Sequence, residues 1–146
     1  EVFYSTASNN PPEIDLDQEQ RNGEAILSLI QEKIISSCHD ISDGGMIVAI
    51  CEMIMRDNLG ATIDMIDDAT MMGQLFGEDQ SRYIITISPQ YENIFKGKMK
   101  KLGIKYELIG RITTSQLKIN DSIIISNSEL RDSYEGLIPS IMNNKA

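Results

Sequence analysis

Apolar residues recur at the spacing of an α-helix in four parts of the chain. Within each part the apolar side chains stand three or four positions apart, so that they share one helix face. These patterns predict helices over residues 17–36, 46–58, 89–102 and 126–141. The second stretch is almost fully apolar, so we expect its helix to lie at the centre of the domain.

Capping residues mark the starts of three of these helices. In a capping box, two side chains three positions apart satisfy the first N–H groups of a helix. Two pairs have this spacing: Asp17 with Gln20, and Ser126 with Glu129. Ser88 followed by Pro89 fits an N-cap with proline at the first helical position.

Short runs rich in β-branched residues predict strands between the helices. They cover residues 1–6, 61–65, 82–88, 104–114, 116–119 and 122–126. Residues 67–76 are ambiguous and favour a short helix over a loop. Because strands and helices interleave throughout, the sequence predicts an α+β, layered α/β fold in which helices cover a mixed β-sheet.

The composition is that of one globular domain. The chain has 146 residues, of which 41% are hydrophobic and 24% charged, so a sizeable core is available. No apolar run reaches the ~18 residues of a membrane-spanning helix. Residues 1–146 are therefore predicted to form a single domain. The chain opens without Met on a strand pattern already in progress, so we expect a fragment of a longer polypeptide, although trimming of a small protein would look the same.

The charge excludes some partners. A net charge of −9 argues against nucleic acids and anionic membrane surfaces. Residues 1–82 carry 16 acids and 4 bases, and residues 83–146 carry 6 acids and 9 bases. The acidic part is where a metal, a cationic partner or a cluster of helix caps is expected. Five lysines supply most of the basic excess and are predicted to form a solvated helix face: Lys96, Lys98, Lys100, Lys101 and Lys105.

Cys38, His39 and Asp40 contain the three residue types of a cysteine-hydrolase triad. Neighbours on an extended segment point to opposite faces, however, whereas triad members converge from separate parts of a fold. We therefore interpret them as a buried thiol beside a hydrogen-bonded histidine. Two cysteines, Cys38 and Cys51, in a chain with a good core indicate reduced thiols and a cytoplasmic location.

The segment Ser42-Asp43-Gly44-Gly45 stands at a strand-to-helix junction. Two glycines permit a tight turn there and leave the helix N–H groups open to an anion such as phosphate. Alternatively, Asp43 or Ser42 caps the helix and the glycines only permit close packing. The residues alone favour this second interpretation.

A second polar segment, residues 75–82, precedes the clearest strand. It contains two carboxylates, an amide and a guanidinium: Glu78, Asp79, Gln80 and Arg82. Such groups can hold the hydroxyls or amides of a polar ligand. The alternative is an internally satisfied turn in which Arg82 pairs with Glu78 or Asp79, and the chemistry of the residues alone favours it. The nearby acids lack the spacing of a calcium loop.

Six segments, in order and spacing, carry a resemblance to a known family. They read PPEIDL, HDISDGGMIVAICEMI, LGATIDM, LFGEDQSRYIITI, IGRIT and SELRDSYEGLIPSIM. Over residues 11–142 the chain resembles the C-terminal domain of phosphoribosylformylglycinamidine synthase, the large synthetase subunit of purine biosynthesis. That domain belongs to the superfamily of aminoimidazole ribonucleotide synthetase, selenophosphate synthetase and thiamine-monophosphate kinase.

The resemblance implies an ATP-dependent C–N ligase in the full-length chain. Such an enzyme activates the amide oxygen of formylglycinamide ribonucleotide with phosphate, and ammonia from glutamine then gives the amidine. ATP and Mg²⁺ are the implied cofactors. The implied partners are the other domains of the same chain, a glutaminase subunit or domain, and the ribonucleotide substrate.

The resemblance also implies where the site residues lie. Asp43, Gly44 and Gly45 would form the wall of a nucleotide cleft. Glu78, Asp79, Gln80 and Arg82 would line a substrate cleft, or the pseudo-equivalent cleft of the second domain copy, which the chain resembles. No segment matches the family's catalytic histidine, magnesium ligands or ATP-contacting cations. We therefore expect no catalytic residue and no metal ligand here, and an inactive fragment.

Two other hypotheses stay open. The chain resembles other ATP-dependent members of the superfamily less, since Ser42-Asp43-Gly44-Gly45 replaces the Thr-Gly-Gly-Gly junction that would favour aminoimidazole ribonucleotide synthetase. A non-catalytic binding or docking module is the other hypothesis, and ligand titration separates it from the first.

Overall fold

The computed structural model describes residues 14–64, 71–120 and 123–143, and these form six α-helices and six β-strands. The helices are α1 (Leu16–Gln31), α2 (Gly45–Arg56), α3 (Met71–Phe76), α4 (Glu92–Leu102), α5 (Asn127–Glu135) and α6 (Leu137–Asn143). The strands are β1 (Ile35–Asp40), β2 (Gly60–Ile63), β3 (Tyr83–Ile87), β4 (Gly110–Thr113), β5 (Gln116–Ile119) and β6 (Ile123–Ser126). A short 3-10 helix, Pro89–Tyr91, leads into α4.

The strands form two sheets. β1 and β3 pair antiparallel, and the second sheet has the order β4-β2-β5-β6. In this four-stranded sheet β2 runs parallel to β5, whereas β2 with β4 and β5 with β6 pair antiparallel. The sheet is therefore mixed. The predicted α+β class with helices and a mixed sheet is confirmed. The sequence did not indicate the division into two sheets, because pairing partners far apart in the chain leave no local signal.

Helix α2 is central, as its apolar pattern predicts. Its buried residues pack with those of the four-stranded sheet and with Ile84 of β3 in one cluster. Leu117 of β5 and Ile54 of α2 are fully buried within it. A second cluster joins α1 and α4 beside the β1–β3 sheet, and its buried members include Leu29, Phe95 and Met99. The described residues therefore form two apolar clusters.

Of the two capping boxes that the sequence predicts, the structure contains the one near the end of the chain but not the one near its start. The capping box of Ser126 and Glu129 is present at the start of α5. The predicted box of Asp17 and Gln20 is wrong, because Asp15 is the N-cap of α1 and accepts from the Gln18 N–H at 2.9 Å. Helix α1 also ends at Gln31, five residues early, since Lys33 adopts a left-handed φ of 56° and turns the chain into β1.

Two other predicted elements differ. Residues 104–109 are irregular, and Tyr106 packs edge-on against Phe95 of α4 with ring centroids 5.1 Å apart. The last predicted helix is two helices, divided at Gly136. The predicted strand over residues 1–6 lies outside the described residues, as do residues 67–70 of the predicted short helix. The described part of that helix is α3.

The lysine-rich face of α4 is solvated, as predicted. Lys96, Lys100 and Lys101 are exposed on the helix, and Lys105 is exposed in the irregular segment that follows it rather than on the predicted helix face. Lys98 is half-buried and forms an ion pair with Glu32, which follows α1. The hydrogen bond that Lys98 donates to Glu32 within this pair is the main reason why the pKa of Glu32 lies below its ordinary value. The pair therefore joins α4 to the end of α1.

Apolar side chains also remain exposed on several helices. Leu16, Leu27 and Ile30 share one face of α1, and Tyr134, Ile138, Ile141 and Met142 are exposed on α5 and α6. In the described parts of the chain, none of the helices is long and apolar enough to span a membrane.

We expect Leu117→Ala to lower the free energy of unfolding by about 2–5 kcal/mol, because it leaves a cavity in the main cluster. Leu117 is 0% exposed, whereas Leu108, in the irregular segment, is 82% exposed. The matched control Leu108→Ala should change the free energy by less than about 0.5 kcal/mol. Urea denaturation measures both, and equal losses would contradict the described core.

Candidate functional site

The two predicted polar segments meet at the start of α2. The Gly44 N–H donates to Glu78 Oε1 at 2.8 Å, although the two residues are 34 positions apart. The Gly45 N–H donates to the backbone oxygen of Ser42 at 3.0 Å. A carboxylate thus lies at the positive end of the helix dipole, where a negative charge is stabilised. The N–H groups at the helix start thus have acceptors within the protein: Ser42 accepts through its backbone oxygen, as one of the two residues that the sequence suggested, and Glu78 accepts in place of Asp43.

Glycine is required at both positions of this junction. Gly44 and Gly45 have φ angles of 82° and 73°, in the region that favours glycine. A Cβ on Gly45 would lie 2.6 Å from the backbone carbon of Phe76, the last residue of α3. The glycines therefore permit close packing of α2 against α3, as one of the two sequence interpretations proposed.

Residues 77–82, here called the 77–82 loop, connect α3 to β3. Arg82 is held within this loop: its guanidinium lies 3.6 Å from Asp79 Oδ2 and donates to the backbone oxygens of Gly77 and Gln74. The predicted pairing of Arg82 with a carboxylate is therefore present. Exposed ion pairs contribute little free energy, so these contacts chiefly fix the shape of the loop.

An open cleft of about 350 Å³ lies between α1 and the start of β3. We call it the α1–β3 cleft. Its lining is mostly polar and consists of Glu19, Asp40, Ile41, Gln80, Ser81, Arg82 and Tyr83. Amide, guanidinium and carboxylate groups can bind a ligand rich in hydroxyl or amide groups.

The structure thus brings the predicted site residues together in part. Gln80 and Arg82 line the α1–β3 cleft, Asp79 pairs with Arg82, and Glu78 caps the helix that begins at Gly45. Asp43 is exposed on the same junction. None of these contacts assigns a ligand, so the roles of Asp43, Gly44, Gly45, Glu78, Asp79, Gln80 and Arg82 in binding stay predictions.

Sequence reasoning missed the contribution of α1 to this cleft. Asn22 donates to Ser81 of the 77–82 loop, and Glu19 lines the cleft together with Tyr83. Burial and, after it, the Glu19 charge raise the pKa of Tyr83. Glu19 and Asn22 lie one turn apart on α1, and their partners are about 60 positions away in the chain. Nothing in the local sequence distinguishes them from ordinary solvated helix residues.

The Cys38-His39-Asp40 segment forms no nucleophilic triad. The ring nitrogens of His39 lie 2.6 Å from the Asp40 backbone oxygen and 3.0 Å from Glu52 Oε2. The Tyr134 hydroxyl donates to the other oxygen of Glu52, so His39, Glu52 and Tyr134 connect β1, α2 and α5. Burial raises the pKa of the Cys38 thiol, opposite to the change that activates a nucleophile. The hydrogen-bonded histidine agrees with the sequence interpretation, whereas Cys38 is partly exposed and not the buried thiol that was expected.

The chain's sequence matches the family model described as "AIR synthase related protein, C-terminal domain" over residues 3–121. The chain belongs to this family. Among curated relatives, subunit PurL of phosphoribosylformylglycinamidine synthase from Brucella ovis is 35% identical over 141 residues. This match covers 97% of the chain but 19% of the relative, so the chain spans about a fifth of the length of that protein.

Solved structures of Thermotoga maritima PurL share the fold of this AIR synthase related domain. The complex with FGAR has a TM-score of 0.70 at 19% identity and covers 86% of this chain and 23% of PurL. The complex with ATP has a TM-score of 0.65 at 19% identity, covering 76% and 21%. PurLQS has a TM-score of 0.67 at 21% identity, covering 77% and 21%. At these identities the likeness shows the fold alone.

Gly45→Ala should lower the free energy of unfolding by about 2 kcal/mol or more, because it adds both a strained φ and a backbone clash. Gly23, on α1, has open space around its Cβ position. Gly23→Ala should therefore raise the free energy of unfolding by about 0.5–1 kcal/mol. Chemical denaturation checks the opposite signs, and a stabilising Gly45→Ala would refute the described junction.

Cys51 should react slowly with iodoacetamide, because burial raises the pKa of its thiol to about 11. At pH 9 such a thiol is about 1% thiolate, so alkylation should be roughly fifty-fold slower than in the urea-unfolded chain and should accelerate as the pH approaches 11. The Cys38→Ser variant isolates Cys51 for this measurement. Equal rates in the folded and unfolded chains would contradict the raised pKa of this partly buried thiol.

Proposed function

We propose that this chain acts as the C-terminal domain of a phosphoribosylformylglycinamidine synthase. That enzyme converts formylglycinamide ribonucleotide, ATP and glutamine-derived ammonia to the amidine in purine biosynthesis. The observation that carries the proposal is the 35% identity to Brucella ovis PurL across 97% of the chain. The family match over residues 3–121 and the fold of Thermotoga maritima PurL support it.

On this proposal the chain is one domain of a longer synthetase, and residues 1–146 fold as a unit within it. Its role is to supply one wall of an interdomain cleft. The open form of the α1–β3 cleft supports such a role, because a pocket that buries a small ligand closes around most of its surface. Gln80 and Arg82 would face the ligand, whereas Glu78 would hold the loop against Gly44.

The proposed enzyme uses ATP and Mg²⁺, and the ATP complex of Thermotoga maritima PurL supports the first of these. Among the described residues of this chain, no group of three or more His, Cys, Asp or Glu side chains could hold a metal ion. The side chains described here do not by themselves fit a complete magnesium site. On the family resemblance, we propose that the metal ligands and the catalytic residues belong to other domains of the synthetase.

The proposed partners are those other domains, a glutaminase subunit and the ribonucleotide substrate, in the cytoplasm. The Brucella ovis relative is described as a subunit, and the Thermotoga maritima protein has been solved in PurLQS. Both descriptions support a multisubunit assembly for the enzyme that we propose.

Calorimetric titration of this chain with ATP, ADP and formylglycinamide ribonucleotide tests the proposed role. A single wall should bind each of them more weakly than about 1 mM, because most contacts of a small-ligand site would be missing. Submillimolar binding would instead show a self-contained site and favour an autonomous binding module. Loss of activity when the chain is deleted from the synthetase, with recovery on adding it back, is the supporting result.

Within the synthetase, Glu78→Ala and Gln80→Ala should affect stability or nucleotide retention more than kcat. Glu78→Ala removes the acceptor of the Gly44 N–H, and because this contact is exposed we expect a loss of about 0.5–1.5 kcal/mol of stability. Gln90→Ala, on the exposed 3-10 helix, is a matched control for Gln80→Ala. A large fall in kcat with unchanged stability would place Glu78 or Gln80 at the reacting atoms and overturn this assignment.

A further inference from the structure

A serine in the left-handed conformation stands in the 77–82 loop. Ser81 has a φ of 63°, a conformation that residues with a side chain rarely adopt without support. Its neighbours in the chain are Gln80 and Arg82, and all three residues line the α1–β3 cleft. The backbone conformation of Ser81 therefore sets the directions in which Gln80 and Arg82 leave the main chain.

Support for this conformation comes from helix α1. The side-chain amide of Asn22 donates to the backbone oxygen and to Oγ of Ser81, both at 2.9 Å. Both contacts are partly buried. One amide group thus holds the main chain and the side chain of the same residue, across 59 positions of sequence.

The loop is also hydrogen-bonded to the end of β1, the strand that pairs with β3. The Ile41 N–H, at the end of β1, donates to the Arg82 backbone oxygen at 2.9 Å. Because Arg82 directly follows Ser81, a change of φ at Ser81 moves this oxygen. The hydrogen bond of the Ile41 amide therefore reports on the conformation of the loop.

We propose that Asn22 is a positioning residue of the α1–β3 cleft. It holds Ser81 in the left-handed conformation and thereby directs Gln80 and Arg82 toward the ligand. The proposal deepens the proposed function and rests on it, because that function assigns Gln80 and Arg82 to a nucleotide or substrate cleft.

The first test needs no ligand. We compare amide hydrogen exchange in the wild-type chain, Asn22→Ala, and the double variant Asn22→Ala with Ser81→Gly. Asn22→Ala should speed exchange of the Ile41 amide by about tenfold, as expected for losing two hydrogen bonds. The double variant should restore the rate to within about threefold, because glycine adopts a positive φ without support.

Two controls separate positioning from general stability. The Asp64 amide bonds to the Ile109 backbone oxygen in the four-stranded sheet region, and its exchange should stay unchanged in every variant. Gln20→Ala removes another α1 amide, which bonds to Glu24 on the same helix, and should leave the Ile41 amide unaffected. Unchanged Ile41 exchange in Asn22→Ala, equal acceleration at Asp64, or absence of rescue by Ser81→Gly would each overturn the proposal.

A second test, in the synthetase, distinguishes the two proposals. Asn22→Ala should raise the KM for ATP or shorten nucleotide retention about tenfold at similar kcat, with recovery on adding Ser81→Gly. If Gln80→Ala and Arg82→Ala leave nucleotide and substrate binding unchanged while Asn22→Ala still releases the loop, the cleft assignment fails and the positioning of Ser81 by Asn22 stands. If those variants weaken binding but Asn22→Ala does not, the positioning role is wrong.

Discussion

The structure depends on the way in which helix α2 begins. This apolar helix packs into the main cluster, and the N–H groups of its N-cap and first residue have acceptors within the protein. The Glu78 carboxylate and the Ser42 backbone oxygen supply them at Gly44 and Gly45. Because Glu78 belongs to the 77–82 loop, the same contact that completes the core helix also fixes the loop that forms one edge of the cleft.

This arrangement restricts the residue or the backbone conformation both at the start of α2 and in the 77–82 loop. Gly45 must stay small for α3 to approach, and the backbone at Ser81 must take an unusual conformation for Arg82 to reach Asp79 and the carbonyls of Gly77 and Gln74. Strain of this kind persists where surrounding contacts determine it. The contacts here are the Asn22 hydrogen bonds to Ser81 on one side and the Glu78 hydrogen bond on the other.

Local patterns in the sequence correctly predicted most of the helices and strands. Of the two capping boxes that they predicted, one is present in the structure. The apolar run of α2 and the β-branched run of β3 were strong signals, because each repeats at the period of its element: α2 buries six of its twelve residues, whereas β3 buries Ile84 alone. The boundary of α1 was missed because Ile34 continues its apolar spacing although Lys33 turns the chain. The pairing of β2 with β5 was not predictable, since a parallel pair is defined by a long crossover rather than by a turn.

For the candidate site, the sequence indicated which residues were polar and close in the chain, but not which groups would meet. Glu78, Gln80 and Arg82 stood out through their spacing before a strand. The donors that hold this loop, the Gly44 N–H and the Asn22 amide, come from elements 34 and 59 positions away from their acceptors, and only the fold brings these together. The family resemblance linked these segments through their order in the chain. Only the structure shows which of their groups are in contact.

The exposed apolar faces of α1 and of α5–α6 bear on how the chain behaves on its own in solution. Faces of this kind promote self-association when no partner covers them. The net charge of −9 opposes such contact, because like-charged molecules repel one another over roughly a Debye length, about 10 Å at 0.1 M salt. The colloidal stability of the isolated chain is therefore governed by ionic strength, and concentrated salt removes the repulsion that keeps these faces apart.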